Sequence, residues 1–129
     1  MTGALHVFVG GSALCRDLER LRGILRDLHR AQYAIGRPVV VFTDDYPSGV
    51  GDMATRLCIE EGIGTQVFDA YPKGQALNYD VRWATLVEKC GVEYAILGWW
   101  REPLDVPTLR GVLAARSAIL YEYLEEPTP

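Results

Sequence analysis

The sequence has 129 residues, 49% of them hydrophobic, 23% charged and 10% aromatic, with 13 Lys and Arg against 17 Asp and Glu. These proportions fit one globular domain and leave no room for two; a fold of this size buries roughly two-thirds of the surface its unfolded chain exposes, enough for a core without disulfide or metal staples. The net charge of -4 argues against a nucleic-acid partner, whose footprint is a basic domain or a Lys/Arg stripe able to displace counterions.

Cys15, Cys58 and Cys90 are odd in number and too far apart for a Cys-x-x-Cys pair, so a reducing compartment is expected. The first residues lack the basic start and apolar run of a signal peptide. No stretch approaches the length of a membrane span, so the expected location is cytoplasmic, with no membrane partner.

In chain order, the apolar run 5–9 reads as a buried strand closed by Gly10-Gly11-Ser12. Leu14, Leu18, Leu21, Leu25 and Leu28 then recur at steps of three and four, the stripe of an amphipathic helix. After Pro38, Val39-Val40-Val41-Phe42 has no polar alternation and predicts a central parallel strand. A polar, glycine-rich loop leads into a helix marked by Met53, Ala54, Leu57 and Cys58 that stops at Gly62. Residues 66–68 read as a third strand, 76–90 as a helix and 94–97 as a fourth strand running into Trp99-Trp100.

Residues 106–124 read as one long final helix with Asp105 as N-cap, Pro107 in the first turn, and Leu109, Val112, Leu113, Ile119, Leu120 and Leu124 on its apolar side. A partner subunit is expected to cover that helix, hence a homo-oligomer, a dimer or higher. The whole predicts α/β architecture: a small Rossmann-like three-layer sandwich, with a mostly parallel sheet of four to five strands and helices on both faces. Residues 1–124 form the single domain and 125–129 a flexible tail.

In an open parallel sheet, ligands bind beyond the carboxyl ends of the strands, where helix N-termini offer unpaired N–H groups. Gly10 and Gly11 remove side-chain obstruction there, and Ser12 either caps the next helix or donates to a phosphate oxygen; an ordinary strand-to-helix turn is the alternative. The second loop carries Ser48, Gly49 and Gly51 at the mouth of a helix, beside Asp44, Asp45 and Asp52. These carboxylates suit ribose hydroxyls, a divalent cation or general acid–base work; solvated turn residues, and for Asp52 a favourable helix dipole, are the alternatives.

Trp99 and Trp100 should point to opposite faces of the fourth strand, one of them over the ligand edge to stack on a base, unless it fills core. Arg82, Arg101 and Arg110 are candidate phosphate partners, with solvated surface as the alternative. His6 and His29 have no ligand-spaced partners, so neither a metal centre nor a cofactor is expected. A P-loop and a Gly-x-Ser-x-Gly nucleophile elbow are absent.

Over residues 5–100 the chain resembles the SLOG superfamily, the Rossmann-like group that includes DprA and LOG proteins, and within it the YspA-related branch. Val7-Phe8-Val9-Gly10-Gly11-Ser12 is similar to that branch's Val-x-Val-Thr-Gly-Ser-Arg opening. The segment from Gly49 to Gly62 resembles its Gly-Ala-Asp-x-x-Ala helix, and Val67-Phe68-Asp69-Ala70 its next strand. Ala13 stands where the pattern has Arg, and Gly51 where it has Asp, with Asp52 one position off. The Pro-Gly-Gly-x-Gly-Thr-x-x-Glu loop of phosphoribohydrolases is missing; residues 98–103 stand in its place.

The resemblance implies a pocket for a nucleotide or an ADP-ribose-like ligand. The expected contacts are the amides near Gly10, Gly11, Ser12 and Gly49 to phosphate, Asp44, Asp45 or Asp52 to ribose, and Trp99 or Trp100 over the base, with Ser48, Gly51 and Arg101 also in the ligand-binding set. One alternative is an N-glycosidic-bond hydrolase with Asp45, Asp52 or Glu102 as nucleophile or base. The other is an oligomeric interaction protein without a ligand.

Overall fold

Strand and helix alternate through the computed structural model, which describes residues 3–46, 48–69 and 78–126. The elements are β1 (Leu5–Gly11), α1 (Leu18–Ala34), β2 (Val39–Asp44), α2 (Val50–Glu61), β3 (Gly64–Phe68), α3 (Tyr79–Lys89), β4 (Tyr94–Trp100), α4 (Pro107–Ala115) and β5 (Ile119–Glu125). All five strands are parallel, in the order β3-β2-β1-β4-β5. This is a small Rossmann-like α/β sandwich.

Side-chain alternation along the inner strands feeds two separate cores. Leu5, Val7, Val9, Val39, Val41 and Ile96 face α1 and α2, where they meet Leu21, Leu25, Ala54 and Leu57. Phe8, Phe42, Ala95, Leu97 and Trp99 face the other way, against Trp83, Val87, Leu109 and Leu113 of α3 and α4. Two apolar faces are why the central strands read as continuous hydrophobic runs. Leu21 and Leu25 are fully buried, each worth about 1.5–3 kcal/mol. The Arg22–Glu60 pair at 2.9 Å and the Arg26–Glu61 pair join the exposed sides of α1 and α2; exposed pairs contribute only about 0–1 kcal/mol, so apolar packing holds these helices down.

The structure corrects the C-terminal reading. The predicted helix over 106–124 is two elements, α4 and β5, divided where Ser117 takes a left-handed φ of 55°. Ile119, Leu120 and Leu124 fit helical spacing, but Ile119, Tyr121 and Tyr123 alternate with Leu120, Glu122 and Leu124, and β-branched and aromatic residues favour the strand. Glu125, assigned to the tail, is the last residue of β5.

The first helix also starts later than its leucine spacing suggests. Leu14 lies outside it and is exposed, and Asp17 rather than Ser12 is the N-cap, accepting from the Arg20 amide at 3.1 Å. The third helix spans Tyr79–Lys89, capped by Asn78; residues 76 and 77 of its predicted range lie outside the described residues.

Asp105 does not cap α4. The cap comes from α3: the Asp80 carboxylate accepts from the Thr108 and Leu109 amides at 3.0 and 2.8 Å, and the residue is only 6% exposed. Burial by itself would raise its pKa, but the Leu109 and Thr108 hydrogen bonds outweigh it and hold the carboxyl below its ordinary 3.8. With the folded-state pKa depressed, the stabilisation is complete above the unfolded value and is lost as pH falls through the folded one. Asp80→Ala should therefore cost about 2 kcal/mol in urea denaturation at pH 7. The gap to the wild type should narrow in the same measurement as pH falls below 3.8, and close once the folded carboxyl is protonated.

Candidate functional site

The carboxyl edge of the sheet is organised by two loops that touch. Gly49, the residue before α2, has φ 80°, and a Cβ there would overlap the Ser12 carbonyl oxygen and crowd the Ala13 backbone. Only glycine brings the β2–α2 loop this close to the β1–α1 loop. The Val50 amide reaches the Ser12 carbonyl at 3.4 Å. Thr43 ties the strands beneath, its hydroxyl donating to the Val9 carbonyl at 2.7 Å.

Beside this junction, on the α3 side, lies a cavity of about 260 Å³. Gly10, Gly11, Asp44, Ser48 and Gly51 line it, and all five belong to the predicted ligand set. Ala13 and Tyr46 add to the loop side, while Tyr79, Arg82 and Trp83 of α3 and Leu104 of the β4–α4 loop close the other. Both α2 and α3 therefore open onto it.

Asp44 is the carboxylate of this wall. Its Oδ2 accepts from the Trp83 indole Nε1 at 2.9 Å and its Oδ1 from the Tyr46 amide at 3.2 Å. Each oxygen keeps further acceptor capacity. Gly51 permits the arrangement, since a Cβ there would stand 3.3 Å from Asp44 Oδ1 and 3.0 Å from Thr43 Oγ1. Arg82 holds its guanidinium at the wall by donating from Nε and Nη2 to the Asp69 carbonyl, at 3.1 and 2.6 Å, and has other N–H donors to offer.

The helix N-termini differ in how they are satisfied. In α1, Asp17 caps the helix and the Glu125 carboxylate accepts from the Arg16 and Asp17 amides at 2.9–3.1 Å. Asn78 caps α3, and Asp80 caps α4 from outside. Gly49 gives α2 no side-chain cap. The Val50 amide meets the Ser12 carbonyl, and Gly51, next in the first turn, lines the cavity beside Ser48.

The other predicted residues are placed elsewhere. Ser12 is buried, and its hydroxyl accepts from the Trp100 amide at 3.1 Å instead of capping α1. Asp52 pairs with Arg56 at 3.0 Å on α2. Asp45 is exposed and donates its amide to the Phe68 carbonyl. Glu102 is exposed, and Arg101 lies over the Trp100 ring.

Trp99 is 0% exposed and donates to Glu122 at 2.8 Å, so the tryptophan at the cavity is not Trp99 but Trp83. Trp83 and Tyr79, whose rings are 5.3 Å apart, belong to the predicted helix over 76–90 and are not among the expected site residues. The signal for them lay in the topology, since α3 starts at the same sheet edge. Pro47 and Ala70 lie outside the described residues.

Burial pushes the Cys15 thiol up to about 12 and the Cys58 thiol up to about 11, and also raises Cys90; none is a ready thiolate near neutral pH. Among the described residues no three His, Cys, Asp or Glu side chains gather as a metal-binding group. Nor, among them, is any helix long and apolar enough to cross a membrane.

No protein-family model matches the sequence, and no curated protein matches it. The chain is similar in structure to a macrolide-efflux protein from Streptococcus pneumoniae, with 14% identity and a TM-score of 0.54 over 94% of this chain. It spans 45% of that protein's chain. The likeness is one of fold.

The loop contact gives a direct test. Gly62 also has a left-handed φ, 69°, but a Cβ there meets nothing within 4 Å. Gly62→Ala should cost about 1–2 kcal/mol, the penalty of the left-handed backbone. Gly49→Ala carries that penalty plus the collision with the Ser12 carbonyl, and urea midpoints should show the larger loss at Gly49.

Proposed function

We propose that the cavity binds a nucleotide or nucleotide-derived ligand, with binding as the activity. The observation that carries this reading is the meeting of three recognition chemistries in one hollow. Uncapped α2 amides suit an anion, the Asp44 carboxylate suits sugar hydroxyls, and the Trp83–Tyr79 wall suits a flat ring. Phosphate would lie at Ser48 and Gly51, with Arg82 as a second cationic contact, and ribose at Asp44. The SLOG-like glycine turns of the first two loops favour the same reading.

Size narrows the guest. The cavity, at about 260 Å³, is slightly smaller than the roughly 300–1,000 Å³ usual for drug-sized ligands, so it suits a mononucleotide. An ADP-ribose-like molecule would seat one half and leave the other in solvent. The hydrolase reading has less support: Asp45, Asp52 and Glu102 do not line the cavity, and its carboxylate, Asp44, is already engaged by Trp83 and Tyr46.

A thermal-shift panel of ribonucleotides, deoxynucleotides, cyclic nucleotides and ADP-ribose tests the proposal. A true ligand at about 100 times its Kd adds about 2.7 kcal/mol and should raise the Tm by several degrees. Asp44→Asn should reduce the preference for ribo- over deoxyribonucleotide by about tenfold, one charge-assisted hydrogen bond. A flat panel overturns the proposal, and release of free base by the wild type replaces it with the hydrolase.

A further inference from the structure

Among the described residues, β5 lies at the edge of the sheet and pairs with β4 alone. Its register is unbroken, from Tyr94 opposite Ile119 to Trp100 opposite Glu125, with no bulge and no proline. The Ile119 amide donates to the Glu93 carbonyl and the Arg101 amide to the Glu125 carbonyl, both at 3.0 Å. In a parallel ladder this turns the backbone groups of Ile119, Tyr121, Tyr123 and Glu125 toward β4. Those of Leu120, Glu122 and Leu124 point outward, away from the sheet. Such an edge is a template for another strand unless something blunts it.

Among the described residues β5 shows no bulge, no proline and no lysine. Ile119 is 62% exposed, Tyr121 42%, Leu124 38% and Leu120 37%. Its two acids are engaged within the chain: Glu125 by the amides before α1, and Glu122 by Trp99 and by the Arg110 guanidinium at 2.7 and 3.0 Å. The edge is apolar on both faces and carries no lysine.

The sequence of the edge identifies its occupant. Leu120-Tyr121-Glu122-Tyr123-Leu124 reads the same in both directions, as antiparallel pairing of identical strands about a two-fold axis requires for like to meet like. We propose that two copies of this chain pair antiparallel through β5, with the axis at Glu122, joining their sheets into one. In that register the outward groups of Leu120 meet those of Leu124 in the partner, and Glu122 meets Glu122. On the other face Tyr121 lies opposite Tyr123.

Pairing about Leu120 would set Ala118 against Glu122, and pairing about Leu124 would set Glu122 against Glu126, whereas the axis at Glu122 matches every residue from 120 to 124 with its own kind. Each of the two facing Glu122 carboxylates brings the Arg110 that already pairs with it, so neither enters the pairing as a bare charge. Arg110 already holds the Glu122 carboxyl below the usual range. The pairing is independent of what fills the cavity.

Analytical ultracentrifugation with disulfide trapping tests it. The wild type should sediment at twice 14.4 kDa. The double variant Leu120→Lys with Leu124→Lys should weaken association at least tenfold, whereas Leu14→Lys, at an exposed apolar position off the strand, should not. Directly paired residues have Cα atoms about 5.5 Å apart, within disulfide reach. Oxidising a mixture of the Leu120→Cys and Leu124→Cys variants should therefore give a covalent dimer that neither gives alone.

A wild type that stays monomeric at high micromolar concentration, a dimer indifferent to the lysines, or a cross-link within a single cysteine variant overturns the proposal. If the lysine variant loses its circular-dichroism signature, hydrogen exchange of the wild type decides. The Leu120, Glu122 and Leu124 amides should slow as concentration rises, and unchanged rates overturn the pairing.

Discussion

The contact between Gly49 and the Ser12 carbonyl is the constraint on which the carboxyl edge of this sheet depends. Parallel pairing alone sets β1 and β2 side by side but leaves the loops above them free to splay. A residue without Cβ, held at φ 80°, locks one loop onto the other and fixes where α2 begins. From that follow the approach of Gly51 to Asp44, the direction of the α2 amides and the shape of the hollow beneath them. A side chain at Gly49 would move the start of α2, and the cavity wall with it.

β5 shapes the same edge from the far side. In an open sheet of this strand order the ligand crevice is expected between β1 and β4, where the chain reverses direction across the sheet. On the α1 side that crevice is filled. The Tyr123 ring lies against Gly98, where a Cβ would stand 2.6 Å from its Cζ and Oη, and the Glu125 carboxylate occupies the amides leading into α1. With α1 closed by the chain's own anion, a guest anion is left with α2. The usable hollow accordingly lies over β1 and β2 on the α3 side.

What could be read in the sequence followed from how local each signal was. Gly10, Gly11, Asp44, Ser48 and Gly51 were found because strand ends and turn residues are adjacent in the chain and the parallel fold assigns all such ends to one edge. Trp83 and Tyr79 were missed because their approach depends on where α3 crosses back over the sheet, a tertiary fact with no local mark. Trp99 failed for the opposite reason: alternation places it on the α3 face correctly, but helix packing then buries it. The C-terminal segment misled because Ile119, Leu120 and Leu124 satisfy two periods at once, and only the left-handed break at Ser117 separates helix from strand.

The strand that replaces the predicted helix also changes what oligomerisation requires. An amphipathic helix with a surplus apolar side asks for any apolar cover, whereas an edge strand asks for hydrogen bonds in a set register, which few surfaces can supply. A second copy supplies them whenever the strand reads alike in both directions, as Leu120 to Leu124 does. The acids of β5 need no removal for this, because Arg110 and the α1 amides engage them inside each chain. The contacts that close α1 and bind Glu122 therefore leave the outer edge of β5 free of unpaired charge, and the internal electrostatics of one subunit set the terms on which two can meet.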